Sequence, residues 1–411
     1  MKVQPLDIKN KKNELHSSVR SLVHQYRWFG FFPVEGLAQE DPFKLRYNLK
    51  SSYTIYYVLS FIGQILMTLF SLFWFMERSK TLGTLSYFLF YGDALVGIAC
   101  SIKLAKSWPN LMCKAAKLEE NLADIRISKS IPTKCYIIAH FVMALAYLEH
   151  FLCEVYNGMV AMKCVGATTP NILVVRKYFH YRYYYVFDYV ELNPVTAILA
   201  EVMCFQSTFV WSFVDVLIIC ISIYFTSYFN DLNKAIKSYK QQDIIPWGKI
   251  RAQYSELVIL LKEIDLRLSW ILMMSFFSNL FFLCFQLFNS LHAMPSSESL
   301  VYSLFSFTFL VVRSLTLCVV AANVHKAAQG PLLALYEVPS SVYNIEVQRF
   351  QLQLRYTTIG LSGLFFYVTR KTIVKVIGTI ITYELILLQF NMNTTLLYSE
   401  TSVVRTNVTL L

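Results

Sequence analysis

The chain is poor in charge. Only 15% of its 411 residues are Asp, Glu, Lys or Arg, whereas a soluble domain carries about 25%. Hydrophobic residues make up 56% of the chain and aromatic residues 16%. This composition excludes an ordinary soluble domain and predicts a protein that crosses a membrane several times. The net charge of +11 comes from basic residues scattered between apolar runs, which argues against a nucleic-acid partner.

The sequence also lacks the common signatures of catalysis and metal binding. It contains no GxSxG, P-loop, DxD-like cluster or HExxH, and its nine cysteines show no CxxC or zinc spacing. His150 and Glu154 are metal-ligating types four residues apart, but no third ligand is recognisable. We therefore predict that the chain is not an enzyme and that it has neither a cofactor nor a metal site. Cys153 and Cys164 are candidates for a disulfide, although isolated packing cysteines are the preferred interpretation.

Two further features are missing. The first 50 residues are polar and basic without a leading apolar run, so we expect no cleaved leader. No internal repeat is visible, and this argues against an inverted-repeat transporter.

Long apolar runs are abundant instead. About 20 apolar residues span a bilayer as a helix, and seven segments qualify, which predicts an all-α polytopic membrane protein. The predicted spans are 53–76, 84–104, 135–160, 194–228, 266–291, 300–324 and 364–391.

The basic residues predict the orientation of these spans. Of the 37 Lys and Arg, 28 fall in the N-terminal segment and in the loops on that same side, and two lie within spans. The richer side is expected to be cytoplasmic, which places the N-terminus inside and, after seven crossings, the C-terminus outside. The two N-x-[ST] sequons, at Asn393 and Asn407, both fall in the predicted extracellular tail. G-protein-coupled receptors have the opposite orientation.

These assignments divide the chain into functional segments. The predicted segments are a cytoplasmic N-terminal part (1–52), a bundle of six helices (53–325) with a cytoplasmic helical extension (229–265), a cytoplasmic anchor (326–363), a last helix (364–391) and an extracellular tail (392–411).

Two segments between the spans stand out. From Trp247 onward, apolar residues recur every three or four positions, which predicts an amphipathic helix that runs into the fifth span. Its apolar face is expected to pack on segment 333–360 or on another subunit, or else on the inner leaflet. The outer loop 161–193 contains seven aromatics between Tyr178 and Phe187. They suit either a membrane-interface belt, the preferred interpretation, or the faces of a carbohydrate.

Ionisable and polar residues within membrane spans are functional candidates by default. Helical spacing places Glu201, Thr208 and Asp215 on one face of the fourth span. By the predicted topology, acids, amides and aromatics from several helices meet in the outer half of the membrane. This combination suits a small, neutral, polyhydroxylated ligand, while a buried ion pair between Arg313 and one acid is the structural alternative. The candidate ligand-binding residues are Asp93, His150, Glu154, Glu201, Thr208, Trp211, Asp215, Gln286, Tyr302 and Arg313.

The last span carries a polar stripe, in which polar side chains recur at helical spacing and must face protein or water. The stripe consists of Lys375, Thr379, Thr382, Ile386, Gln389 and Asn393. Several copies of such a helix around a symmetry axis can line a pore, although hydroxyls and amides also stabilise helix packing. Glu384 lies on the opposite face, where Arg313 is a possible partner.

Four stretches resemble the sugar-receptor branch of the insect gustatory receptors. They are FGFFPVEG (29–36), KSWPNLM (106–112), SNLFFLCFQLFNSL (278–291) and the C-terminal signature TYELILLQF (382–390). The resemblance covers nearly the whole chain. It implies a plasma-membrane taste receptor of chemosensory neurons that works as a sugar-gated, non-selective cation channel.

The resemblance also implies an assembly. The expected partners are a sugar, permeating cations, membrane lipid and three further copies of the chain, or related receptors in a heteromer. Lys375, Thr379, Thr382 and Ile386 would line the pore, and the family's Gln-Phe pair maps onto Gln389 and Phe390 as the gate. A metabotropic receptor and, less favoured, a sugar transporter are the alternatives.

Overall fold

The computed structural model describes residues 13–78, 80–126, 130–163, 171–239, 245–292 and 297–383. These residues form a helical bundle, which confirms the predicted all-α class. The helices are α1 (Glu14–Tyr26), α2 (Tyr53–Glu77), α3 (Leu82–Asn121), α4 (Ile131–Lys163), α5 (Asn171–Arg182), α6 (Tyr184–Phe187), α7 (Pro194–Tyr239), α8 (Trp247–His292), α9 (Ser297–Ala328), α10 (Pro331–Tyr336) and α11 (Ile345–Tyr356). Two short antiparallel strands, β1 (Val34–Glu35) and β2 (Arg46–Tyr47), connect α1 to α2.

Within these ranges, six helices are long and apolar enough to cross a membrane, namely α2, α3, α4, α7, α8 and α9. They match the first six predicted spans. Residues 370–383 of the seventh predicted span are helical as well, but residues 364–369 precede this helix as bend, bridge and irregular structure, so the predicted start at 364 is six residues too early. Residues 384–391 lie outside the described residues. The count of seven spans and the orientation of the termini therefore stay predictions.

Helix α7 forms the centre of the bundle. In its most apolar stretch 83% of residues are buried inside the chain, against 22% to 33% in the other five membrane helices. Its neighbours leave much more of their apolar surface open, where lipid can cover it. The polar side chains of α7 are consequently held inside the protein.

Three helices extend far beyond one bilayer. Helices α3, α7 and α8 have 40, 46 and 46 residues, whereas about 20 span the hydrocarbon core. The amphipathic start of α8 packs on its own chain: the Tyr254 ring lies 4.9 Å from that of Phe350 on α11, and Arg251 Nε lies 2.6 Å from Glu346 Oε2. Of the three packing alternatives for this face, the described contacts favour segment 333–360.

The N-terminal segment belongs to the bundle. The apolar face of α1 is buried against α4 and α7. Its first backbone N–H groups, at Glu14 and Leu15, donate to the Glu119 carboxylate at 2.7 and 3.0 Å, a favourable position for a negative charge. Arg126 joins Glu14 to Asp231 on α7. The 1–52 segment is thus an integral part of the helical core from residue 13 onward.

Candidate functional site

A cavity of about 230 Å³ lies between α3, α4, α7, α8 and α9, at the end of the bundle predicted to be outside. The short helices α5 and α6 contribute to its wall. Its lining combines nine aromatic side chains with acidic, basic, amide and hydroxyl groups. The aromatic residues are Tyr87, Phe90, Tyr91, Tyr185, Trp211, Phe282, Phe285, Tyr302 and Phe309. We call this space the outer cavity.

Six of the ten predicted ligand-binding residues line the outer cavity: His150, Thr208, Trp211, Gln286, Tyr302 and Arg313. They come from α4, α7, α8 and α9, so the facing predicted from helical spacing brings together residues far apart in sequence. Gln286 donates to Ser306 at 3.3 Å, and Thr208 Oγ1 lies 3.5 Å from His150 Nδ1. The binding role of these residues stays a prediction.

Arg313 and Asp215 form a buried ion pair at the inner end of the outer cavity. Arg313 Nε lies 3.0 Å from Asp215 Oδ2, and both side chains are almost fully buried. The guanidinium also donates to Ser212 at 2.8 Å and stacks over the Trp211 ring at 4.4 Å. Asp215 lies behind the wall and accepts from Ser275 and Asn279 on α8. Its structural role is therefore to hold Arg313 at the cavity surface.

The remaining three predicted residues lie outside the lining. Glu154 is 3.1 Å from Arg182 and accepts from Tyr178, and Glu201 accepts from Tyr183 at 2.7 Å. Both acids thus fasten the α5–α6 segment to the bundle. Asp93 borders a separate space of about 10 Å³ that Trp211 also borders.

Glu149 is a cavity residue that helical spacing did not predict. This acid lines the outer cavity and accepts from Tyr302 at 3.2 Å and from Ser306 at 2.9 Å. The predicted residues of α4, His150 and Glu154, are four positions apart and share one face of the helix, whereas Glu149 is on the adjacent face. A signal was present in the sequence, since a second intramembrane acid beside His150 is itself unusual.

The aromatic outer loop is only partly a membrane-interface belt. Tyr183, Tyr185 and Phe187 are buried, with 0%, 1% and 7% exposure, whereas Tyr181 is 49% exposed. The Tyr185 and Tyr91 hydroxyls are 2.7 Å apart. The preferred belt interpretation is therefore wrong for the buried members, whose rings pack between α2, α3 and α7. Of these three residues, Tyr185 lines the outer cavity.

A third metal-ligating residue joins the pair seen in the sequence. One ligand atom each of His150, Glu154 and Glu201 lies within 4.8 Å of the other two. Both carboxylates already accept hydrogen bonds from Tyr178, Tyr183 and Arg182. The Arg182 charge opposes a cation, so this arrangement fits an ion pair better than a metal centre.

The predicted pore-lining residues are described in part. Lys375, Thr379 and Thr382 lie on the 370–383 helix and are exposed in the single chain. The two threonine hydroxyls donate to backbone carbonyls one turn earlier, at 3.0 and 2.9 Å, which satisfies them without a neighbour. Ile386, Gln389 and Phe390 lie outside the described residues, as do Glu384 and Cys164.

One side chain lies between the outer cavity and the last helix. Phe285 on α8 lines the outer cavity and also an apolar groove of about 270 Å³ against Thr379, Ile380 and Tyr383. The outer cavity and the groove beside the last helix therefore share one side chain. We call this space the α8 groove.

These features define a class: a multi-pass, all-α membrane protein with a polar and aromatic cavity between its helices. Its fold is similar to that of the insect olfactory receptor OR5 from Machilis hrabei, with a TM-score of 0.70 and 14% sequence identity over 92% of this chain and 100% of that one. The same receptor in complex with eugenol matches equally well.

The chain belongs to the trehalose receptor family, whose model matches residues 2–398. It is 29% identical to the gustatory receptor for sugar taste 64f of Drosophila melanogaster, over 92% of this chain and 81% of the relative. It is 28% identical to the gustatory receptor 5a for trehalose of the same fly, over 92% and 85%. The resemblance drawn from the four sequence stretches is confirmed. These relatives are receptors, which agrees with the expectation that the chain is not an enzyme.

Proposed function

We propose that the chain is a subunit of a sugar-gated, non-selective cation channel that serves as a taste receptor in the plasma membrane of chemosensory neurons. The observation that carries the proposal is the outer cavity, in which nine aromatic rings surround hydrogen-bonding groups from five helices. Sugars present C–H faces to rings and hydroxyls to polar side chains. Membership of a family with relatives named for sugar taste supports the same ligand class.

The charges of the outer cavity favour a neutral ligand. Arg313 is paired with Asp215 and Arg182 with Glu154, while Glu149 accepts from Tyr302 and Ser306. Since both guanidinium groups are already paired, an anionic ligand would find no unpaired cation, while the Glu149 carboxylate is a hydrogen-bond acceptor for hydroxyl groups. The remaining hydrogen-bonding capacity suits hydroxyl groups. The volume of about 230 Å³ is at the lower limit of ligand pockets, which run from roughly 300 Å³ upward, and it favours a small sugar.

Gating in this proposal runs through α8. A sugar in the outer cavity contacts Phe285, and a shift of this ring changes the packing of the α8 groove against Thr379 and Tyr383. The last helix then tilts or rotates. In a homotetramer, four copies of this helix surround the pore, with the Lys375, Thr379, Thr382 and Ile386 stripe as its lining and Gln389 and Phe390 as the gate. Binding favours the open arrangement because the sugar fits it better.

The orientation of the chain is part of the proposal. The N-terminus is cytoplasmic, seven helices cross the membrane, and the sugar enters from outside. The basic residues on one side support this arrangement. Related receptors are possible partners in a heteromer, and lipid surrounds the exposed apolar faces of α2, α4 and α9.

The experiment is whole-cell recording from cells that express this chain alone, with a panel of monosaccharides and disaccharides. We expect a dose-dependent cation current with at least one sugar. Absence of current from protein that reaches the surface would overturn the self-sufficient channel. Antibody access to an N-terminal tag on intact cells would support a metabotropic receptor, and saturable sugar uptake without current would support a transporter.

A further inference from the structure

A second cavity lies at the other end of the bundle. It has a volume of about 550 Å³ and opens between the first turn of α4 and the predicted cytoplasmic ends of α7 and α9. Along α4, Lys134 of this cavity and Glu149 of the outer cavity are separated by 15 positions, or ~22 Å of helix. It is therefore a separate site, which we call the inner basic cavity.

The lining of the inner basic cavity is positively charged. Lys134 on α4 and Lys234 and Lys237 on α7 converge on it from two helices, and the described lining contains no Asp or Glu. Lys234 Nζ lies 3.8 Å from Asp231, itself engaged by Arg126. Among the described residues, Lys134 and Lys237 form no ion pair. The cavity thus has an excess of positive charge available to a ligand.

Two buried polar atoms at the cavity are without hydrogen-bond partners among the described residues. They are Thr226 Oγ1 and Asn233 Oδ1, both on α7. Buried hydroxyl and amide oxygens are normally hydrogen-bonded. An amide oxygen accepts only, so its partner must be a donor such as a hydroxyl group. Asn233 Nδ2 already donates to Ala327 on α9 at 2.9 Å, which fixes the direction of the carboxamide.

The three lysines and the two unpartnered polar atoms together suit a ligand that has both phosphate and hydroxyl groups. Lysine ammonium groups bind phosphate as point charges. A ligand hydroxyl can donate to the Asn233 amide oxygen and can either donate to or accept from the Thr226 hydroxyl. Lys134 directly precedes the apolar run of α4, so the cavity is at the depth of lipid headgroups. Basic pockets between membrane helices on the cytoplasmic side are suited to such headgroups.

We propose that the inner basic cavity binds a phosphorylated polyol, either as the headgroup of an inositol-type phospholipid of the inner leaflet or as a soluble inositol phosphate. The phosphates lie between Lys134, Lys234 and Lys237, and ring hydroxyls meet Thr226 and Asn233. The site also reaches the last helix, because Asn323 in its lining accepts from Arg370 at 3.3 Å. Occupancy is thereby linked to the base of the helix that the proposed function assigns to the pore.

The alternative is that Lys134, Lys234 and Lys237 belong to the solvated basic surface on the cytoplasmic side and bind no ligand. That alternative predicts equal effects from any three exposed lysines on this side. Lys103, Lys106 and Lys117 on α3 are exposed and do not line the cavity, so they provide a matched control with the same change in charge.

The experiment measures binding to the purified full-length assembly by native mass spectrometry. The probes are dioctanoyl phosphatidylinositol bisphosphate, inositol trisphosphate and dioctanoyl phosphatidylcholine. We expect the first, the second or both to bind and phosphatidylcholine not to bind. Binding of the lipid alone assigns the site to the membrane, binding of the soluble phosphate alone assigns it to the cytosol, and binding of both shows that the shared headgroup is recognised.

The variants separate a site from a surface charge. Replacing Lys134, Lys234 and Lys237 together by Gln should weaken the Kd about tenfold or more, or ~1.4 kcal/mol, whereas replacing the three α3 lysines should change it less than about twofold. Three Lys→Arg replacements in the cavity should retain binding. Equal weakening by both Gln sets, or equal binding of phosphatidylcholine, would overturn the proposal. The readout needs no sugar response, so failure of the proposed function would appear separately, as absent currents.

Discussion

Arg313 on α9 is held by Asp215 on α7, with 3.0 Å between Nε and Oδ2. The acid is hidden behind the wall of the outer cavity, and only the guanidinium reaches its surface. The pair also connects α8, because Ser275 and Asn279 donate to the same carboxylate. One buried acid thus fixes the relative positions of three helices and presents one cation to the cavity.

Breaking this pair should destabilise the protein. Asp215→Ala leaves a buried guanidinium unpaired, a loss of about 3–5 kcal/mol for such pairs. We expect a clearly lower melting temperature of the purified assembly. Replacing both residues, Asp215→Leu with Arg313→Met, removes both charges and should recover much of the stability while weakening the sugar response. An unchanged melting temperature for Asp215→Ala would show that the pair is not structural.

Glu149 should be the strongest polar determinant of sugar affinity. Its carboxylate orders Tyr302 and Ser306 at the cavity wall. Glu149→Gln keeps the shape but removes the charge-assisted hydrogen bonds, which are worth ~1.5–3 kcal/mol. We expect about a tenfold to hundredfold increase in the half-maximal sugar concentration. Glu77→Gln is the control, because Glu77 accepts from Tyr189 at the same end of the bundle but outside the cavity. Equal shifts in both variants would contradict this role.

The sequence predicted the membrane helices well because an apolar run of about 20 residues crosses a bilayer as a helix, which satisfies its backbone hydrogen bonds internally. It also predicted the inward faces of α7 and α9, since seven-residue spacing keeps Thr208 and Asp215 on one side of a helix. Both are local properties. The choice of ion-pair partner is not a local property. The sequence contains Arg313 and several acids within the spans, and nothing in their spacing identifies Asp215 rather than Glu201 as the partner of Arg313.

Two parts of the site depended on long-range packing. Glu149 lines the cavity because α4 is oriented with this side chain toward α9, where Tyr302 donates a hydrogen bond to it. The aromatic loop folds inward because Tyr185 finds Tyr91 on α3, a contact across 94 residues that no local pattern encodes. Helix α1 was likewise missed, since its moderate amphipathicity within a basic segment resembles an exposed helix until Glu119 meets its first turn.

Phe285 should couple the outer cavity to the last helix. Among the described residues, Phe285→Ala removes the one ring that lines both the cavity and the α8 groove, so we expect the evoked current to fall severalfold more than the weakening of sugar binding explains. Two controls flank it on the same helix. Phe282 lines only the cavity and Phe281 only the groove, so Phe282→Ala should weaken binding and Phe281→Ala should leave it intact. If binding and current fall to the same extent in Phe285→Ala, Phe285 only contacts the ligand and does not couple the cavity to the last helix.

Phe390 should close the pore, as the resemblance to the gustatory receptors implies. Phe390→Ala removes an apolar constriction of the kind that gates by dewetting. We expect a raised basal current without sugar, measured against surface expression. Phe365→Ala is a suitable control, because this exposed phenylalanine precedes the last helix. If neither basal nor evoked current changes in Phe390→Ala, this residue is not the gate.

His16 should make the docking of α1 sensitive to acid. The side chain is 2% exposed, its Nε2 lies 2.8 Å from the Gln39 carbonyl oxygen, and burial lowers its pKa below the ordinary 6.5. The folded state therefore binds fewer protons than the unfolded state, so stability is retained above pH 6.5 and lost as the pH falls below it. We expect hydrogen exchange in residues 14–26 to accelerate between about pH 6.5 and 5, after correction for intrinsic rates. His16→Gln should flatten this dependence, and His24→Gln, on the exposed face of the same helix, should not. An equally steep pH dependence in His16→Gln would assign it to another group.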